Sequence, residues 1–145
     1  MTQLPTPEAV RGSFDDRRVE YQGESALVFE RDGSFFMDVP DPQRGAGARR
    51  TAEVALAVGS RRYQQYFELV PFEGGTRFER LPLLWHIEEE RWMHMNTVFL
   101  HPDNPSWDSH RTVWNNNCIF CHNTGPRPGL VGSPLEAVFD SKTAD

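Results

Sequence analysis

The chain has 145 residues, a net charge of −6 and a pI of about 5.3. That is the size of one ordinary domain, long enough to bury a core without disulfide staples. No basic patch offers itself to phosphates, which argues against a nucleic-acid partner, and no apolar run approaches the roughly 18 residues of a membrane span.

Residues 1–13 read as a lead-in segment. Pro5 and Pro7 keep it extended, "TPEAVRG" suits one helical turn closed by Gly12, and no charged start precedes an apolar stretch as in a signal peptide. Residues 14–95 read as a β-rich domain. "RVEYQG" and "ALVFERDGSFFMDVP" are rich in β-branched and aromatic residues, and Asp32-Gly33 between Phe29 and Phe35 is a hairpin signal. "DPQRGAGARR" is a polar loop. "TAEVALAVG" alternates at Val54, Leu56 and Val58 and reads as a strand, though its alanines also suit a helix. A second hairpin turns at Gly74-Gly75, and a further strand begins at Arg91. Glu88-Glu89-Glu90 reads as a solvated turn. The expected fold is mainly β, a bent antiparallel meander or β-sandwich followed by an irregular C-terminal segment.

That segment, residues 96–145, is rich in Asn, Pro and Gly, yet it holds two of the four tryptophans, both cysteines and three of the five histidines. A long irregular stretch with such a content is expected to be organised around something. The cysteines stand as Cys118-Ile119-Phe120-Cys121-His122. C-x-x-C-H is the pattern of covalent haem attachment: two thiols add to the haem vinyl groups, and the adjoining imidazole ligates the iron. Three fixed positions in five arise by chance on the order of once in a thousand chains this long. Zinc is the first alternative, but a second CxxC or a spaced histidine pair is missing. A thioredoxin-like dithiol wants a βαβ context, and a CxxC pair is a poor structural disulfide. Buried, unligated cysteines complete the alternatives.

The flanks carry a resemblance. Gly59, Gln64-Gln65-Tyr66, Leu81-Pro82, Trp85, Arg91-Trp92, His94, Trp114-Asn115 and Cys118 to Thr124, with "TPEAVRGSFDD" and "FERDGSFFM", resemble a segment of large bacterial multihaem c-type cytochromes, many of which also carry tetratricopeptide repeats. The likeness runs from Thr6 to about Gly125, and its most specific parts are QQY and W-N-x-x-CxxCH-N. Such proteins carry several CxxCH motifs, whereas this chain has one. The resemblance implies a section of a longer exported, periplasmic or extracellular protein, or a stripped-down relative of one, loaded outside the cytoplasm, with other haem domains or redox proteins as partners.

The expected function is therefore one covalent haem c relaying electrons, with zinc as the alternative cofactor. An interaction module without haem is the competing class. Cys118 and Cys121 would hold the haem and His122 the iron. Trp107, Trp114 and Phe120 would supply an apolar wall, or simply pack a core. His110, eight residues before Cys118, is the first choice for a second axial ligand and His94 the second; His86, His101, Met93 and Met95 are further possibilities. Strand alternation lets only one of Met93 and His94 face the core. Asn115 to Asn117 fit a cap before the cysteines. No acid–base pair adjoins the motif, so electron transfer is favoured over catalysis.

Overall fold

The computed structural model describes residues 2–73, 75–99 and 106–114, together with the backbone of 130–131 and 138–139. In chain order the strands are β1 (Thr2–Gln3), β2 (Asp15–Tyr21), β3 (Glu24–Arg31), β4 (Ser34–Pro40), β5 (Arg49–Glu53), β6 (Leu56–Val58), β7 (Tyr63–Phe72), β8 (Gly75–His86), β9 (Arg91–His94), β10 (Leu130–Val131) and β11 (Val138–Phe139). Strands β2-β3-β4-β5 form one antiparallel sheet and β1-β6-β7-β8-β9 another, so the fold is mainly β, as the sequence predicts.

Alternation builds the core. Ala26 and Val28, Phe35, Met37 and Val39, and Ala52 turn inward from the four-stranded sheet. Ala57, Tyr66, Leu81, Leu83, Trp85 and Trp92 meet them from the other. Residues one position out of phase face away, as a two-residue side-chain period requires.

The hairpins follow their turn chemistry. Asp32 (φ 52°) and Gly33 (φ 80°) join Arg31 to its partner Ser34, and Gln22 (φ 50°) and Gly23 (φ 75°) join Tyr21 to Glu24. Positive φ at both central residues matches the twist of the flanking strands. The exposed edge strand β2 is interrupted at Asp15/Arg17, with Asp16 at φ 59°, and carries charges along its length. A bulge and charges discourage pairing with another chain.

"TAEVALAVG" differs from the expected single strand. Val54 donates to Phe35 O at 2.8 Å in one sheet, and the next amide, Ala55, donates to Phe67 O at 2.8 Å in the other. The chain crosses between sheets there. The apolar spacing Val54, Leu56, Val58 runs on through the crossing although Val54 faces the inter-sheet core and Leu56 and Val58 the outer face, so the pattern alone hides it.

The lead-in also does more than expected. Thr2 and Gln3 pair with Val58 and Ala57, which makes β1 an edge strand. Val10 N reaches Thr6 O at 3.0 Å in the expected helical turn. In the C-terminal segment, expected to be irregular but for a helical turn around Trp114 to His122, β10 and β11 form a two-residue antiparallel ladder.

Candidate functional site: the strap that leads to the CxxCH motif

Residues 106–114 form a strap laid on the sandwich, and the CxxCH motif follows four residues later. Its first anchor is Trp107, which is buried in the inter-sheet core. His94 holds it there. The imidazole stacks on Tyr21 at 4.1 Å and 8°, and Trp107 meets it edge-on at 4.7 Å. His94 Nδ1 accepts from Asn96 N at 3.0 Å, which leaves Nε2 to donate to Trp107 O at 2.9 Å. Asn96 Nδ2 adds a bond to Ser106 O at 2.9 Å.

The second anchor is electrostatic. Glu68 and Glu79 are directly opposite one another on β7 and β8, an arrangement that repels unless cations intervene. Both are buried. Arg111 Nε donates to Glu79 Oε2, and its NH2 lies 3.7 Å from Glu68. Arg77 takes the other Glu79 oxygen at 2.8 and 3.0 Å, and Arg50 pairs with Glu68. The strap thus supplies one of three guanidiniums that neutralise a buried carboxylate pair.

The third anchor is main-chain. Beyond the short β9, the first half of β8 has an edge to spare. Arg80 N donates to Thr112 O at 2.9 Å, Val113 bridges to Glu79, and Arg80 Nε donates to His110 O at 2.9 Å. This register delivers Trp114 to the outer face of the five-stranded sheet. There it packs with Leu56, Val58 and Phe67, its ring 5.2 Å from Phe67 at 72°, with Phe78 alongside.

Cys118, Phe120, Cys121 and His122 lie outside the described residues, as do His101 and Asn115 to Asn117. The others separate. Trp107 and Trp114 do not share one wall: Trp107 is between the sheets and Trp114 is on the opposite face of the five-stranded sheet. The strap inserts its two tryptophans on either side of that sheet. His94, not Met93, faces the core, and both its ring nitrogens are engaged. His86 is also committed, Nδ1 accepting from Glu89 N at 3.1 Å and Nε2 lying 3.5 Å from the Glu89 carboxylate. Met95 is fully buried. His110 is half-buried on the strap, its ring 6.0 Å from Phe99. Glu88 to Glu90 are exposed; hydrogen bonding to Arg91 lowers the Glu89 carboxyl below its usual range.

The conspicuous QQY element turns out to be a clamp. Gln64 and Tyr66 are fully buried. Gln64 Oε1 accepts from Arg11 N and from the Tyr66 hydroxyl, each at 2.7 Å, while its Nε2 donates to Ala9 O at 2.9 Å and Gly59 O at 3.2 Å. Tyr66 Oη accepts from Gly12 N at 3.0 Å, and Trp92 Nε1 donates to Ser13 O at 3.0 Å. Leu81, Trp85 and Trp92 are core residues of the same sandwich.

Comparison with known protein families, curated proteins and solved structures finds no match to this chain. Among the described residues no group of His, Cys, Asp or Glu could hold a metal ion, and no helix is long and apolar enough to cross a membrane.

What sequence reasoning missed is the Glu68–Glu79 pair with its three arginines. The signal was present: Phe72 pairs with Gly75, and the same register sets Glu68 opposite Glu79.

Proposed function

We propose that this chain is a c-type cytochrome module, a β-sandwich that presents Cys118-Ile119-Phe120-Cys121-His122 for one covalent haem and relays electrons. The observation that carries the reading is the CxxCH motif four residues after a tryptophan anchored on the outer face of the five-stranded sheet. When bound, the haem supplies a one-electron redox couple. Everything else is the work of the chain. Cys118 and Cys121 provide the thiols and His122 the imidazole.

The described residues fit such a group. Four residues of chain reach at most about 14 Å, so the first cysteine is tethered near the Trp114 seat. That seat is apolar, formed by Leu56, Val58 and Phe67, and Leu84 on β8 points to the same face, out of phase with the core residues Leu83 and Trp85. An apolar wall excludes water from a redox centre and helps set its potential. Trp107, His94 and Arg111 fix the strap and so hold the approach to the motif in place. The sequence resemblance supports a role beside other haem domains of an exported parent chain.

The test is expression with the c-type maturation system. One haem per chain that survives acid–acetone extraction is expected, and Cys118→Ala or Cys121→Ala should lower its retention. A mass equal to the bare polypeptide, where a control cytochrome loads, would sink the proposal. Zinc in that same sample would favour the alternative, a β-sandwich interaction module whose CxxCH binds metal.

A further inference from the structure

We propose that Arg61 and Arg62, in the turn between β6 and β7, bind the carboxylates of a ligand seated on the outer face of the five-stranded sheet. On the haem reading above, on which this inference rests, those carboxylates are the haem propionates.

Several arginines elsewhere on the sandwich are tied to neighbouring acids, Arg17 to Asp15, Arg31 to Asp16, Arg49 to Asp38 and Arg91 to Glu89, while Arg18 bonds Ser25 Oγ instead. Arg61 and Arg62 make no salt bridge of this kind among the described residues, although the chain has more acids than bases. Arg62 acts on Glu89 only as a lesser influence behind Arg91 and His86. Its guanidinium stands 5.4 Å from the Tyr63 ring centroid, and its carbonyl accepts from Ile87 N at 2.9 Å, which fixes the turn. Two adjacent exposed guanidiniums on a fixed turn offer planar, multiply donating recognition of carboxylates.

Their position makes the ligand specific. Both line an open cleft of about 460 Å³ together with Val58, Tyr63 and Gln65. Val58 also belongs to the apolar cluster that seats Trp114. The cleft and the Trp114 seat are therefore contiguous, one end apolar and the other cationic. That suits an amphiphilic ligand with an apolar body and a carboxylate edge. The tether from Trp114 to Cys118, at most about 14 Å, keeps a thiol-anchored ligand within range of the same surface.

The experiment uses the full chain loaded with haem. In R61Q/R62Q the haem content per chain should be unchanged, because thioethers hold it. The midpoint potential should fall, since removing two positive charges favours the ferric state. R61K/R62K should restore most of the potential. R17Q/R18Q, which removes two charges from the other sheet, should leave it unmoved. Full loading with an unchanged potential in R61Q/R62Q overturns this assignment and leaves the haem reading standing. A chain that takes no haem overturns the haem reading, and the assignment falls with it.

Discussion

The Tyr66 hydroxyl donates to Gln64 Oε1 at 2.7 Å while accepting from Gly12 N at 3.0 Å, and through these bonds two fully buried side chains of β7 hold the lead-in of the chain. Tyr66→Phe keeps the ring and deletes the bridge. Gly12 N–H loses its acceptor and Gln64 Oε1 one of its donors. Leaving such groups unsatisfied costs about 1–3 kcal/mol. The denaturant midpoint of Tyr66→Phe should fall accordingly, and a midpoint equal to wild type would show that the clamp carries no stability.

The same hydroxyl predicts a pH dependence. Burial pushes its pKa well above the ordinary tyrosine value, and the Gly12 N–H only partly opposes this. An unfolded tyrosine ionises near pH ~10. The folded pKa is raised, so Tyr66's contribution is fully present below about pH 10 and is lost as pH rises towards the folded pKa. The stability gap between wild type and Tyr66→Phe should narrow between about pH 8 and about pH 11. Denaturant melts of both proteins at the two pH values measure it; a constant gap refutes the linkage.

Gly12 is required by space. A Cβ there would lie 2.6 Å from Trp92 Cη2 and 2.7 Å from Tyr66 Oη, both on buried rings. Gly12→Ala should cost about 1–3 kcal/mol by overpacking. Neutral thermal unfolding of this variant would mean that the lead-in can shift away without loss.

Local signals made the sandwich legible, and long-range ones hid the rest. Asp32-Gly33, the alternation of Phe35, Met37 and Val39, and the tight closure of the β7–β8 hairpin at Phe72 and Gly75 each act over a few residues. The crossing at Val54-Ala55 changes the partner sheet and the inward phase together, Val54 facing the inter-sheet core and Leu56 and Val58 the outer face, while the apolar spacing in the sequence runs on unbroken. The QQY element attracted notice as part of a haem-protein likeness, but its job became visible only when Gln64 met Ala9 and Arg11, more than fifty residues away in sequence. The two strap tryptophans look alike in sequence. Only the register of Thr112 and Val113 on β8, together with the His94 contacts of Trp107, puts them on opposite faces.

The strap should come loose when its charge anchor is removed. Arg111→Met leaves Glu68 and Glu79 facing each other with two guanidiniums instead of three, at a cost of about 1–3 kcal/mol. Hydrogen exchange should quicken at Arg80 N, which bonds the strap, while Val54 N in the sheet crossing stays protected. Equal protection of Arg80 N in variant and wild type would show that the ion pairs do not fasten the strap.

On the haem reading proposed above, the spectrum of the loaded protein should distinguish His110 from His94 as the second iron ligand. His94 stabilises the fold through both ring nitrogens and its stack on Tyr21. Turning it onto an iron would orphan Asn96 N or Trp107 O, at about 1–3 kcal/mol for each. His110 has no such duty in holding Trp107. Its backbone carbonyl is fixed by Arg80, so the strap anchors the residue by its main chain while the imidazole contacts Phe99 at 6.0 Å. It is also eight residues from Cys118 in sequence. We therefore expect a six-coordinate, low-spin iron that becomes high-spin in His110→Ala. His94→Ala should remain low-spin while unfolding at lower denaturant. Absorption spectra of the two ferric variants, read alongside their melts, check the assignment; a high-spin His94→Ala with unchanged stability would reverse it.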